Sequence, residues 1–321
     1  MLNILILNIL KEYSDENHRL TQQEIIRLLK TNYDMECDRR SVKNNILSLK
    51  ELGYEISVDD GYYLMGKEFD DAELRMLIDS VLFSKNLTQR QAKVLIDKLC
   101  GFGNRYFSAK VTHVSNLPEM NHTDNKQMLY SLDAINDAIA ENKKISFIYN
   151  DYKIDFKLHP RREEVYIVNP YQLVANNGRF YLIGNYDKYD NISHYRVDKM
   201  TNVKILEQRA KAKKEIVEFA KGYNLPKHMA EHIYMFGGES VKVKFHTQES
   251  MMSEMIDWFG KDFRVRRLDN RGEIEITVNC NKNAIFFWAL QYGPYVEIVE
   301  PEDIRNRIKK CIIEMYKKYE T

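Results

Sequence analysis

The stretch Asp38-Arg39-Arg40-Ser41-Val42-Lys43-Asn44-Asn45-Ile46-Leu47-Ser48-Leu49-Lys50-Glu51-Leu52-Gly53 carries the signals of one short helix with two unlike faces. Asp38 is a good N-cap, because its carboxylate can accept from the orphan amides of the first turn. Gly53 suits the left-handed residue that ends a helix. Between them Val42, Ile46 and Leu49 recur at helical spacing and face a core, which turns Arg39, Arg40, Lys43, Asn44 and Ser48 outward. With Ser41 in the first turn, this outward set can read DNA. Cations neutralise phosphates, while Arg to guanine or Asn to adenine reads base edges in the major groove. The competing reading is a helix that merely solvates its charges.

The flanks favour the first reading. Upstream, residues 1–13 form an apolar helical segment, and the polar run 14–19 separates it from a second helix. That helix opens with Thr21 and Glu24, the spacing of a reciprocal capping pair, and has Ile25, Ile26, Leu28 and Leu29 as its apolar face. Downstream, residues 54–64 alternate around the turn signal Asp59-Asp60-Gly61 and predict a two-stranded wing. Tyr62 and Tyr63 in that wing are placed to touch the DNA backbone, although a half-buried strand face also explains them. Helix, helix, helix, hairpin is the order of a winged helix-turn-helix, expected over residues 1–67 with double-stranded DNA as its partner.

Composition agrees with a modular protein. A chain of 321 residues exceeds one compact core and suits two or three domains. With 44% apolar and 30% charged residues it reads as soluble and globular, not disordered. No apolar run is long enough for a membrane span, and Met1 to Leu10 leads into Lys11 and Glu12 without a cleavage site, so the start reads as a core helix and not a signal peptide. Cys37, Cys100, Cys280 and Cys311 are scattered, which suggests reduced thiols in a cytoplasmic protein and offers neither a zinc ribbon nor a disulfide framework. A net charge of +1 means that any nucleic-acid surface must be a local patch.

Residues 68–127 read as a helical segment for linking or dimerisation, with one stripe of Leu74, Leu77, Ile78, Val81 and Leu82 and another of Leu95, Ile96 and Leu99. Residues 108–127, with Pro118, lack periodicity and mark a boundary. A helix over 128–142 leads into short strands at 144–149, 154–159, 164–168, 171–175, 179–185 and 192–197, the pattern of a small closed barrel spanning 128–208. A charged helical linker follows over 209–239. Residues 240–321 alternate strand and helix and end in a long helix, which predicts an α+β domain of ferredoxin-like order. The fold class is therefore multidomain α+β.

The central block Asn169-Pro170-Tyr171-Gln172-Leu173-Val174, Phe180-Tyr181-Leu182 and His194-Tyr195-Arg196-Val197-Asp198-Lys199-Met200 resembles the WYL family of bacterial regulators. Gly293, Val296-Glu297-Ile298-Val299 and Glu300-Pro301 resemble that family's C-terminal extension. Phe180 stands where the family has Trp, and Lys199 where Arg is commoner, which keeps the charge but loses the bidentate fork. The resemblance implies an SH3-like or Sm-like barrel that binds a nucleotide or single-stranded nucleic acid through Tyr149, Tyr181, His194, Arg196 and Lys199. Their chemistry is compatible: Arg196 and Lys199 can neutralise phosphates, and Tyr181 can stack on a base. The alternatives are that Phe180 and Leu182 fill the barrel and that Arg196 pairs with Asp198.

His228-Met229-Ala230-Glu231-His232 matches an H-x-x-E-H zinc-peptidase signature, but with no long core helix or third ligand around it, it reads as a surface helix end. No phosphate loop, dinucleotide fingerprint or nucleophile elbow occurs. No catalytic residues, metal ligands or cofactor are expected. The reading is a homodimeric, ligand-responsive transcription regulator. Its rival is an accessory nucleic-acid-binding module that modulates a partner enzyme.

Overall fold

The computed structural model describes residues 1–111, 125–220, 222–269 and 271–320, in two compact units, 1–126 and 127–321. Most of the boundary expected over 108–127, Pro118 included, lies outside the described residues.

In the first unit α1 (Leu2–Tyr13), α2 (Gln22–Tyr33) and α3 (Arg39–Glu51) precede a hairpin of β1 (Ile56–Ser57) and β2 (Tyr63–Leu64). The helix starts follow the capping chemistry. Thr21 and Glu24 exchange both bonds of a capping box, and the Asp38 carboxylate accepts from the Ser41 amide at 2.6 Å. Gly53 ends α3 with φ at 94°, and Asp60 and Gly61 turn the hairpin at 56° and 112°. Ile6, Leu10, Ile25, Leu29, Val42, Ile46 and Leu49 share one core with Ile56 and Leu64 of the hairpin. Each such side chain contributes about 1.5–3 kcal/mol of burial. The wing ladder is short, and Leu20 reinforces it by pairing with Tyr62 through two backbone hydrogen bonds.

Helices α4 (Asp71–Leu82), α5 (Gln89–Cys100) and α6 (Arg105–Val111) follow and bury Leu74, Ile78, Leu82, Ile96 and Phe107 together. Leu77, expected on the same stripe, is instead 38% exposed, because its position falls on the flank of the line through 74, 78 and 82. This segment docks on the polar break after α1. Asn104 donates to the Ser14 carbonyl at 3.2 Å and the Asp15 carboxylate at 3.0 Å, and Tyr106 stacks on His18.

The second unit opens with α7 (Met128–Ala140) and a curled antiparallel sheet: β3 (Lys143–Tyr152), β4 (Leu158–Pro160), β5 (Tyr166–Asn176), β6 (Arg179–Tyr186), β7 (Ser193–Arg196) and β8 (Met200–Arg209). The order is β4-β3-β5-β6-β7, with β8 paired to β3. Three details differ from the sequence reading. The strands expected at 164–168 and 171–175 are one strand, β5, because the missing amide of Pro170 falls at a ladder irregularity. Gly184 lies opposite Pro170, where a Cβ would come within 2.7 Å of the Val168 side chain and 2.9 Å of the Asn169 carbonyl. The strand expected over 154–159 shrinks to β4, since Phe156 turns the chain at φ 59°. Strand β8 was not anticipated, and it joins β7 through one 3-10 turn, Val197–Lys199, with no β7–β8 ladder among the described residues.

Helices α8 (Val217–Ala220) and α9 (Leu225–Glu231) are short, so 209–239 is less helical than expected. The segment nonetheless covers the outer face of β5, β6 and β7. Ile216, Phe219, Leu225, Met229 and Met235 pack there with Tyr171, Val174, Ile183 and Ile192. The chain ends in β9 (Ser240–Gln248), α10 (Met252–Phe259), β10 (Arg264–Arg267), β11 (Glu273–Asn281), α11 (Lys282–Gln291), β12 (Glu297–Glu300) and α12 (Glu302–Lys317), with antiparallel sheet order β10-β11-β9-β12 over a core of Phe245, Phe259 and Trp288. No described helix is long and apolar enough to cross a membrane.

Candidate functional site

Helix α3 separates its side chains as its spacing predicts. Val42, Ile46 and Leu49 are buried, and Arg39, Arg40, Lys43 and Asn44 are exposed. Among the described residues none of these three cations forms a salt bridge. Ser41 is half-buried, and its carbonyl accepts from the Asn45 side chain at 2.8 Å. Tyr62 is less free than its place in the wing suggests: its hydroxyl accepts from Gln22 at 3.0 Å while its backbone pairs with Leu20. Arg19, which the sequence reading passed over, lies at the wing root with its guanidinium 5.3 Å from the Tyr63 ring centre and a bond to the Asp59 carbonyl.

In the central sheet, alternation decides which side chains can meet. Phe180 and Leu182 turn into the core with Phe147, Tyr149 and Tyr195. Tyr181 turns to the other face, and on β7 His194 and Arg196 lie on one face with Tyr195 on the opposite one. Arg196 is paired across the strands with Tyr181. Its guanidinium meets Asp198 at 2.7 and 3.1 Å, and Arg179 reaches the same carboxylate at 2.7 Å. Asp198 is 1% exposed, so one buried carboxylate fastens two guanidinium groups. A second fork lies nearby: Asp151 accepts from Arg161 at 2.7 and 3.1 Å and from Lys199 at 2.8 Å. Arg161 chiefly, and Lys199 after it, hold the Asp151 carboxyl well below the usual carboxylate range.

The five expected ligand residues therefore do not form one pocket. Tyr149 is buried in the core, where burial raises its phenol pKa, and its hydroxyl accepts from the Arg196 amide at 3.1 Å. It positions Arg196 and does not face solvent. Lys199 sits in the 3-10 turn, anchored by its carbonyl to Asn150. Arg196, Arg179, Arg161 and Lys199 form a basic ridge of two forks, each with two cations on one carboxylate. Beside it Arg162 lies 3.6 Å over the Tyr166 ring and donates to the Tyr186 hydroxyl. Arg161, Arg162, Arg179, Tyr166 and Tyr186 were not singled out from sequence; the Arg-Arg pair after Pro160 and the Arg that opens the Phe-Tyr-Leu strand were the available signals.

His194 belongs elsewhere. Its Nε2 faces that of His228 at 2.8 Å, and His232 stacks on His228. His228 and His232 are 7% and 6% exposed, so the H-x-x-E-H segment is not the surface helix end that its sequence suggested; α9 is pressed onto the sheet. Burial, and after it the neighbouring imidazoles, hold the pKa of His194 down to about 3, and burial with His232 does the same for His228.

The family model described as the WYL domain matches residues 131–205, and that described as the WCX domain matches residues 237–316. Among solved structures, proteasome accessory factor B/C (PafBC) of Arthrobacter aurescens is similar at 13% identity over 100% of this chain and 49% of that one, with a TM-score of 0.31. The chain thus spans about half the length of that relative. A CRISPR Cas-related protein is similar at 13% identity, covering 99% of this chain and 84% of its own, with a TM-score of 0.40. A hypothetical protein is similar at 13% identity over 99% and 76%, with a TM-score of 0.20. No curated protein matches in sequence.

Proposed function

We propose that this chain, which belongs to the WYL-domain proteins and carries a WCX domain behind its WYL domain, is a transcription regulator that binds double-stranded DNA and responds to a nucleotide or single-stranded nucleic acid. The observation that carries this reading is α3: a capped, core-anchored helix that presents Arg39, Arg40, Lys43 and Asn44 to solvent, followed directly by a hairpin. In this reading residues 1–67 act as a winged helix-turn-helix and α3 enters the major groove. Residues 68–127 link or dimerise, and the protein acts as a homodimer in the cytoplasm. Residues 128–208 are the sensing barrel, 209–239 connect it onward, and the β-α-β-β-α-β order of 240–321 supports a ferredoxin-like extension. No chemistry is assigned to the chain.

The ridge suits an anionic effector. Each fork offers two cations against one carboxylate, so a phosphate can bind without first recruiting positive charge, and the half-buried ring of Tyr181, paired across the strands with Arg196, offers an aromatic surface for a base. An effector alters DNA affinity only by as much as it prefers one state of the dimer over another.

The test is binding of the purified protein to a duplex containing its own upstream region and to an unrelated duplex, across a salt series. Selective binding that R40E/K43E abolishes supports the regulator. Equal, weak binding to both duplexes overturns it in favour of the accessory module.

A further inference from the structure

Neither the α3 face nor the basic ridge uses His194, half-buried, or His228 and His232, both buried. His228 lies on α9 and His232 caps its C-terminus four residues on, and His194 reaches them from β7. The ring centres lie 4.0 Å (His228–His232), 5.0 Å (His194–His228) and 5.3 Å (His194–His232) apart. All three border a cavity of about 560 Å³, together with Glu231, Tyr223 and Ser240. Around it the His194 Nδ1 and the hydroxyls of Tyr223 and Ser240 are buried without a hydrogen-bond partner. Native interiors rarely tolerate such atoms, and several around one cavity mark a place built for a polar guest.

We propose that His194, His228 and His232 form a binding site for a divalent transition-metal ion of the zinc type, which ties the central sheet to the segment leading into the C-terminal domain. Two imidazole nitrogens on one ion, each at about 2.0–2.1 Å, stand about 2.9–3.4 Å apart. The Nε2 atoms of His194 and His228 already face each other at 2.8 Å and need part by only about half an ångström. His232 is the third imidazole within reach. Its Nδ1 lies 3.0 Å from the His228 carbonyl and its Nε2 3.4 Å from the Gly238 carbonyl, so the shorter contact favours the proton on Nδ1 and the lone pair on Nε2. Among the described residues no group of three His, Cys, Asp or Glu side chains is placed to hold a metal ion as it stands, so the site requires the imidazoles to turn toward the cavity. Glu231 or water supplies the fourth position. On binding, the proton shared between His194 and His228 moves from Nε2 to Nδ1 of its own ring, so the imidazoles stay neutral and no net proton leaves. An all-imidazole set favours zinc, copper or nickel over magnesium or calcium.

The test uses the full chain without a histidine tag, stripped by chelator and titrated with Zn²⁺ and, separately, with Co²⁺ read by its visible absorption. The expected result is one ion per chain, the intense spectrum of tetrahedral Co²⁺, and affinity lowered at least about 100-fold in H194A and in H228Q, more than loss of an outer-shell partner costs. H159A, a histidine remote from the cluster, leaves binding unchanged. Should a variant fail to fold by circular dichroism, the wild-type spectrum decides alone. Absence of stoichiometric binding, a weak octahedral Co²⁺ spectrum, or equal affinity in wild type and both folded variants overturns the site.

Discussion

On α3, Arg39, Arg40 and Lys43 stand in solvent without a salt bridge, whereas in the central sheet Arg161, Arg179, Arg196 and Lys199 are each fastened to Asp151 or Asp198. The two sets share residue types and differ in readiness. Free cations keep their rotamer entropy and counterions until a polyanion arrives, so their binding is strong, long-ranged and sensitive to salt. Fastened cations have already lost that freedom and part of their charge; they bind by geometry, and their loss is felt in stability as well as in binding.

The difference sets an order of expected effects. The largest belongs to α3: R40E/K43E lowers duplex affinity by about 2–6 kcal/mol and reduces the log–log salt slope by about 2, measured by fluorescence anisotropy. Its unfolding midpoint moves little, since exposed substitutions away from special features stay within about 0.5 kcal/mol. The ridge behaves in the opposite sense. D198A leaves Arg179 and Arg196 without their buried partner and costs about 3–5 kcal/mol of stability by urea unfolding, with duplex affinity of the folded protein unchanged. If D198A proves as mild as a surface change, the contrast between free and fastened cations fails.

The outer fork gives smaller effects. D151N costs about 1 kcal/mol at neutral pH, because the Asp151 fork is partly open to solvent. Arg161 and Lys199 depress the folded pKa of Asp151, so its contribution is present above the unfolded carboxylate pKa and lost as pH falls below it. Wild type and D151N should therefore converge in acid when unfolding is compared across pH. The smallest effect is K199R, which restores a guanidinium where one carboxylate already serves Arg161; it shifts stability by no more than about 0.5 kcal/mol. A gain in effector affinity without a gain in stability would locate the fork's role in recognition.

Much of the molecule was legible because its signals are local. Thr21 with Glu24, Asp38 before α3, Asp59-Asp60-Gly61 in the wing and the strand–helix alternation after residue 240 each act within a few residues, and the structure forms helices and turns where they lie. What escaped depends on distant partners. Strand β8 buries only Met200 fully and is defined by its pairing to β3, 50 or so residues earlier, so its own pattern says little. His228 and His232 read as surface residues because nothing in 225–232 announces the apolar face of β5, β6 and β7 that buries them. The expected site was similarly half visible. Arg196 and Lys199 could be named from their strand and turn, yet Asp198 gathering Arg179, and Tyr149 serving the backbone of Arg196, arise only when β3, β6 and β7 are brought together.

The central claim is that two separate sets of cations serve two separate nucleic-acid partners, and a double dissociation tests it most directly. Wild type, R40E/K43E and the conservative ridge variant R179M/R196M would each be titrated with a labelled upstream duplex and with a labelled single strand. The account predicts that R40E/K43E loses the duplex and keeps the single strand, while R179M/R196M, if folded, does the reverse. Loss of both ligands in both variants, or retention of the single strand by R179M/R196M, would contradict it.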